Sequence, residues 1–190
     1  MAIVTGIEKI YVAIQTKDDA TGLTYGTPKY YAGIQEIDIK PKQNTTKAFA
    51  ENILWEQATG FDSAEVSISL LDLTSAERAE LLGQDLAAEG GTYATGEDVA
   101  PYVAVLYKAT IKGGYRYGVL YKGAFGLPED NIKGQEGKVD FQSQKMTATF
   151  QPTRNNKKWE YHVDTTDPDC PANIDTTWFT TVKIPTKKTA

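Results

Sequence analysis

The chain has 190 residues, with 20 Lys and Arg against 25 Asp and Glu, one His and one Cys. A chain of this length buries roughly 70% of the surface it exposes when unfolded, so it holds a core without staples. Its formal charge of −5 gives no electrostatic support to general binding of nucleic-acid phosphates or anionic membranes, and a lone cysteine excludes an intrachain disulfide framework and suits a reducing cytosol.

The amino end, "MAIVTGIEKIYVAIQTKDD", interrupts its apolar residues with Glu8, Lys9 and Gln15. It therefore reads as neither a signal peptide nor a membrane span, and the mature chain is expected to be the whole chain. Eleven tyrosines and many threonines lean the composition toward all-β structure.

Ile7 to Ile14 predicts a first strand, with Ile10, Val12 and Ile14 on one parity. "DDATGLTYGTP" supplies turn chemistry. A second strand is expected from Tyr30 to Lys40, with a bulge near Gln35 where the apolar parity changes, and Pro41 closes it. Lys42 to Gly60, "KQNTTKAFAENILWEQATG", has little clean period and reads as a long loop, a kind of segment that tends to have a job. "FDSAEVSISLLDL" puts Ala64, Val66, Ile68 and Leu70 on one face of a strand with one wet side.

"LTSAERAELLGQD" breaks the β pattern. Thr74 and Glu77 form a capping box, Leu81 and Leu82 an apolar edge, and Gly83 a left-handed stop, so a short helix docked on the sheet is expected. Tyr102 to Ile111 and Tyr115 to Phe125 alternate about Gly113-Gly114 as one long hairpin. A further strand over Lys138 to Gln151 changes parity between Phe141 and Met146. "KKWEYHV" and "TTWFTTVKI" read as two short alternating runs around an irregular "DTTDPDCPANID". The division expected is a β domain over 1–152 and a C-terminal extension or arm over 153–190.

Little of this carries chemistry. His162 is the only imidazole and lacks a Ser or Cys motif, so a surface or interface histidine is the plainer reading than a general base. Cys170 has no basic neighbour in sequence to lower its pKa. Asp164, Asp167, Asp169 and Asp175 are the best metal candidates but lack the spacing of a calcium loop; no cofactor and no metal is expected. Tyr102, Tyr107, Tyr115, Tyr117 and Tyr121 could stack on sugar rings, yet aromatic cross-strand pairs also stabilise sheets and tyrosine is enriched at interfaces. Long half-apolar strands leave edges that need blunting or pair with another copy, which favours self-association.

The order of "GTPKYYAGIQEIDIKP", "LTSAERAELLGQD", "PYVAVLYKATIKGGYRYGVLYKGAFGLPED" and "MTATFQP" resembles the major tail proteins of long, non-contractile-tailed bacteriophages, the phi13-type tail tube subunits, over nearly the whole chain. The resemblance implies a mainly β fold, a β-sandwich or partial barrel with one flanking helix, a long loop and a C-terminal arm. It implies six copies per ring, with rings stacked into a virion tube through which DNA passes without specific binding, and assembly in the host cytoplasm with other phage tail proteins as partners. The long loop and terminal arms would grip the next ring. Phe49 and Trp55 are the expected anchors, with local packing under the loop as the alternative, and Trp159 and Trp178 are further interface candidates. Asp38, Glu65, Asp72 and Asp140 are candidates for the lumen, where mild acidity repels passing DNA. A glycan-binding module is the alternative function, and a hydrolase built on His162 the weakest.

Overall fold

The computed structural model describes residues 3–71, 73–128 and 143–188. In chain order the strands and helices are β1 (Val4–Asp19), β2 (Gly22–Tyr25), β3 (Lys29–Tyr31), β4 (Ile34–Ala50), β5 (Ile53–Leu70), α1 (Ser75–Leu82), β6 (Asp85–Leu86) and β7 (Thr92–Tyr93). They continue with β8 (Val103–Ile111), β9 (Gly114–Phe125), β10 (Gln144–Phe150), β11 (Glu160–Asp164) and α2 (Ile174–Thr177). The protein is mainly β. Among the described residues one antiparallel sheet runs β2-β1-β8-β9-β10-β5-β4, with β3 on β1 and β11 on β9. β6 and β7 form a separate two-stranded pair.

The sheet curves around an apolar cluster, and β1 and β4 approach each other across it. Ile10 and Val12 of β1, Ala64, Val66, Ile68 and Leu70 of β5, and Val103 and Val105 of β8 meet there with Met146, Ala148 and Phe150 of β10. The alternation in β5 has the face that its sequence predicts. α1 docks on this side through Leu81 and Leu82. Its capping box is formed: the Glu77 N–H donates to Thr74 Oγ1, the Thr74 N–H donates to Glu77 Oε2, and Gly83 ends the helix at φ 69.

A second cluster lies on the opposite face of β8 and β9, where Ala104, Leu106, Tyr117, Val119 and Tyr121 are covered by Val163, Ile174 and Trp178. The residues after Pro152 thus pack back on the sheet, through β11 in register with β9 and through α2. Burial on both faces makes β8 and β9 the centre of the molecule.

Several expectations need correction. The strand expected over Tyr30 to Lys40 is interrupted at Gly33, whose φ of 77 breaks it into β3 and β4. Pro41 does not end β4; it pairs with Ala64 within the ladder, tolerated because β4 is a sheet edge and no neighbour needs its missing N–H. The bulge near Gln35 is present, between Ile34 and Glu36. The β8–β9 turn is Lys112–Gly113, one residue earlier than expected, with Gly113 at φ 94 and Ile111 paired with Gly114. "TTWFTTVKI" forms no strand: Thr176 and Thr177 end α2, Trp178 caps it, and the chain turns and bends over 178–181 before a stretch that joins no ladder. Of Lys138 to Gln151, the strand is described from Gln144; Phe141 lies outside the described residues.

Candidate functional site

The largest departure from expectation is the stretch from Lys42 to Gly60. It is not a loop but the outer half of the β4–β5 hairpin, paired to the tip with register shifts after Lys42 and Ala48, and every residue from 42 to 60 is exposed. Beyond the Pro41–Ala64 pair, nine residues of β4 (42–50) run against eleven of β5 (53–63) and give a ribbon about 30 Å long. The tip is the two-residue turn Glu51-Asn52, both at positive φ (52° and 64°), with Ala50 opposite Ile53. Positive φ at both central positions is the sense of turn whose twist matches paired strands.

The tip is apolar. Phe49 is 69% exposed and pairs across the ribbon with Leu54, while Ile53 on the other face is 58% exposed. Ala48 pairs with Glu56 and Phe49 with Leu54, which leaves Trp55, 68% exposed, as the extra residue of a bulge. Bulges re-aim side chains and twist the ribbon. Packing of Phe49 and Trp55 beneath the segment, the alternative weighed from sequence, does not occur. Ile53, Leu54 and the Glu51-Asn52 turn were missed by sequence reasoning; the signal was Asn52 between two stretches of strand-forming residues.

The ribbon's root is held. Phe61 stacks on Trp159 with ring centroids 4.6 Å apart, Asn44 Nδ2 donates to Asp62 Oδ1 at 3.0 Å, and Lys42 Nζ donates to Glu65 Oε2 at 2.7 Å. That lysine holds the Glu65 carboxyl below its usual range through its hydrogen bond and charge. Asp38 is likewise paired with Lys40. Two of the acidic candidates therefore sit on the polar face of β4 and β5, each beside a lysine. Asp72 and Asp140 lie outside the described residues.

The other aromatic candidates are not brought to the arm tip. Trp159 is half-buried in the Phe61 stack, and Trp178 is 3% exposed, against Tyr117 and Tyr161. The Trp178 Nε1–H is buried with no acceptor among the described residues, an arrangement that costs about 1–3 kcal/mol. Of the tyrosines considered for sugar stacking, Tyr107, Tyr117 and Tyr121 are buried, Tyr115 is half-buried and only Tyr102 is exposed.

The acidic residues considered for a metal are dispersed. Asp164 receives Arg116 through two bonds of 2.7 and 2.8 Å, and that guanidinium holds its carboxyl below the usual range. Asp175 accepts from the Tyr117 hydroxyl and from Lys108 at 3.1 Å; Asp169 accepts from Lys188. Among the described residues no group of three or more His, Cys, Asp or Glu is placed to hold a metal ion. Burial, then the charges of Asp167 and Asp164, push the Cys170 thiol up, the opposite of what a nucleophile needs. His162 is exposed on β11, its Nδ1 4.0 Å from Glu160 Oε1. No helix among the described residues is long and apolar enough to cross a membrane.

Comparison with protein-family models and with curated proteins finds no match for this chain.

Proposed function

We propose that this protein is a self-assembling structural subunit, and that its assembly is a phage tail tube of stacked, six-membered rings serving as a conduit for DNA. The observation that carries the reading is the ribbon of residues 42–60. A two-stranded hairpin alone is marginal in water, and three or more strands or a packed face are needed for independent stability. This ribbon has neither within its own subunit, yet its tip displays Phe49, Ile53, Leu54 and Trp55. Clustered exposed apolar residues of this kind mark interaction sites, and another copy of the chain is the economical partner.

The motif order described above supports the choice of a tail tube among self-assembling proteins. The balance of charge fits a conduit: the lysine partners of Asp38 and Glu65 mute that face, and the net charge of −5 disfavours adhesion of DNA. Catalysis is not part of the proposal. The experiment is negative-stain electron microscopy with sedimentation velocity over a concentration series of the full chain. Rings or tubes are expected; a species that stays monomeric at every concentration and salt overturns the reading.

A further inference from the structure

The aromatic arm tip has a complementary feature on the same molecule. Between β11, α2 and the segment 183–188 lies a cavity of about 540 Å³. Tyr161, Val163, Ile174, Trp178, Ile184 and Pro185 give it an apolar lining. Its rim includes Asp169 and Lys188, whose side chains are largely exposed, so the cavity opens to solvent. That volume falls in the range, about 300–1,000 Å³, that encloses a group of ligand size.

We propose that this cavity receives the tip of the β4–β5 arm, Phe49 and Trp55, from a second copy of the chain. The inference rests on the self-assembly reading and deepens it by naming the receptor. Three observations converge on that occupant. Among the described residues the arm tip, formed by the ends of β4 and β5, gathers four exposed large apolar side chains, and no described part of its own subunit covers them. Seven of the twelve residues that line the cavity are aromatic, aliphatic or proline and the other five are Asp169, Thr177, Lys183, Thr186 and Lys188, a mixed lining that suits an apolar tip carried on a polar ribbon. Trp178, a lining residue, keeps a buried Nε1–H with no acceptor among the described residues.

The segment that roofs the cavity is held by few bonds. The Tyr121 hydroxyl donates to the Lys183 carbonyl at 2.6 Å, Lys158 Nζ donates to the Pro185 carbonyl, and the exposed Lys188–Asp169 pair closes the end. Unless a two-fold axis exchanges two arms, a knob on one surface and a hole on another make a heterologous contact, which repeats from copy to copy. The contact thus propagates, as a ring or a stack requires.

The test separates knob from hole. A Phe49→Ala/Trp55→Ala protein lacks the knob and keeps the cavity. An Ile184→Trp protein fills the cavity mouth, at a residue 39% exposed in the free subunit, and keeps the knob. Each alone is expected to raise the concentration threshold for assembly at least tenfold, with the unfolding midpoint unchanged. Mixed in equal amounts, they are expected to form 1:1 dimers, because one intact knob and one intact hole remain. As a second route, Glu56→Cys with Thr186→Cys on a Cys170→Ala background is expected to give a covalent ladder on oxidation. Wild-type tubes together with an Ile184→Trp threshold equal to wild type, or with no ladder, overturn the contact while leaving self-assembly intact. A wild-type chain that is monomeric throughout overturns both.

Discussion

Phe61 and Trp159 lie nearly parallel, 15° apart in plane with centroids separated by 4.6 Å. Phe61 is the last half-buried residue of β5 before the exposed ribbon, and Trp159 immediately precedes β11. The stack therefore ties the root of the arm to the C-terminal part of the chain, across the place where β10 stops and β11 has not begun. Without it, β4 and β5 would leave the sheet at Ala64, the last β5 residue paired with β10.

Phe61→Ala should accordingly act at two levels. Loss of a partly buried ring and its stacking partner is expected to lower global stability by about 2 kcal/mol, read from denaturant unfolding. Amide exchange in residues 42–60 should accelerate beyond that global change, because the root no longer restrains the ribbon. Equal acceleration everywhere would mean that the stack does not anchor the arm.

The arm tip offers the opposite manipulation. Glu51 and Asn52 occupy the left-handed region, where a residue other than Gly or Asn costs roughly 1–2 kcal/mol. Glu51→Asn with Asn52→Gly installs the pair favoured in such turns. Slower amide exchange at Phe49 to Trp55 is expected in the monomer, with no change in the melting temperature of the sheet. Unchanged exchange at the tip would contradict the turn geometry.

A buried ion pair sets the acid limit. Asp18 and Lys122 meet at 2.7 Å with side chains 5% and 8% exposed. Burial pushes the Asp18 carboxyl up, but N–H groups of Arg154 and Asn155 and the Lys122 ammonium together outweigh it and hold the carboxyl below 3.8. A depressed folded-state pKa gives stability that is present above the unfolded value and lost as pH falls through the folded one. The window is thus below about pH 4, and Asp164, held down by Arg116, adds to it in the same direction. Asp18→Ala leaves Lys122 buried without its partner and is expected to cost about 3–5 kcal/mol at pH 7. The difference from wild type should shrink as the pH drops through 4 to 2; a constant difference in urea unfolding across that range would refute the linkage.

Gly123 shows how closely the first cluster is packed. A Cβ there would lie 2.4 Å from Cζ of Phe150, a ring with no exposure. Gly123→Ala is expected to destabilise by about 1–3 kcal/mol through overpacking. Phe150→Leu in the same chain should recover part of that loss by vacating the ring edge. Additivity of the two changes in denaturant unfolding would place the strain elsewhere.

The sequence displays these elements unequally, for physical reasons. β5 from Ala64 to Leu70 and helix α1 were legible because each buries one side: alternate residues or a Leu edge meet the core, and Thr74, Glu77 and Gly83 mark the helix ends. The ribbon was not legible because both its faces meet solvent. Alternation in a strand records burial, and "KQNTTKAFAENILWEQATG" has no buried face to record. "TTWFTTVKI" failed the other way: Trp178 and Val182 suit either a strand or a cap over β9, and only the tertiary contact with Tyr117 and Tyr161 decides. The candidates Phe49 and Trp55 were reachable as aromatics in an unexplained segment. The cavity that is proposed to receive them combines residues 161 to 188 through chain folding, which no local pattern announces.

The β8–β9 pair contributes side chains to both apolar clusters, one on each face. Loosening either layer therefore exposes the ladder that the other depends on, and the two halves of the molecule form a single cooperative unit. The arm lies outside that unit, able to fray and re-form while the rest stays intact.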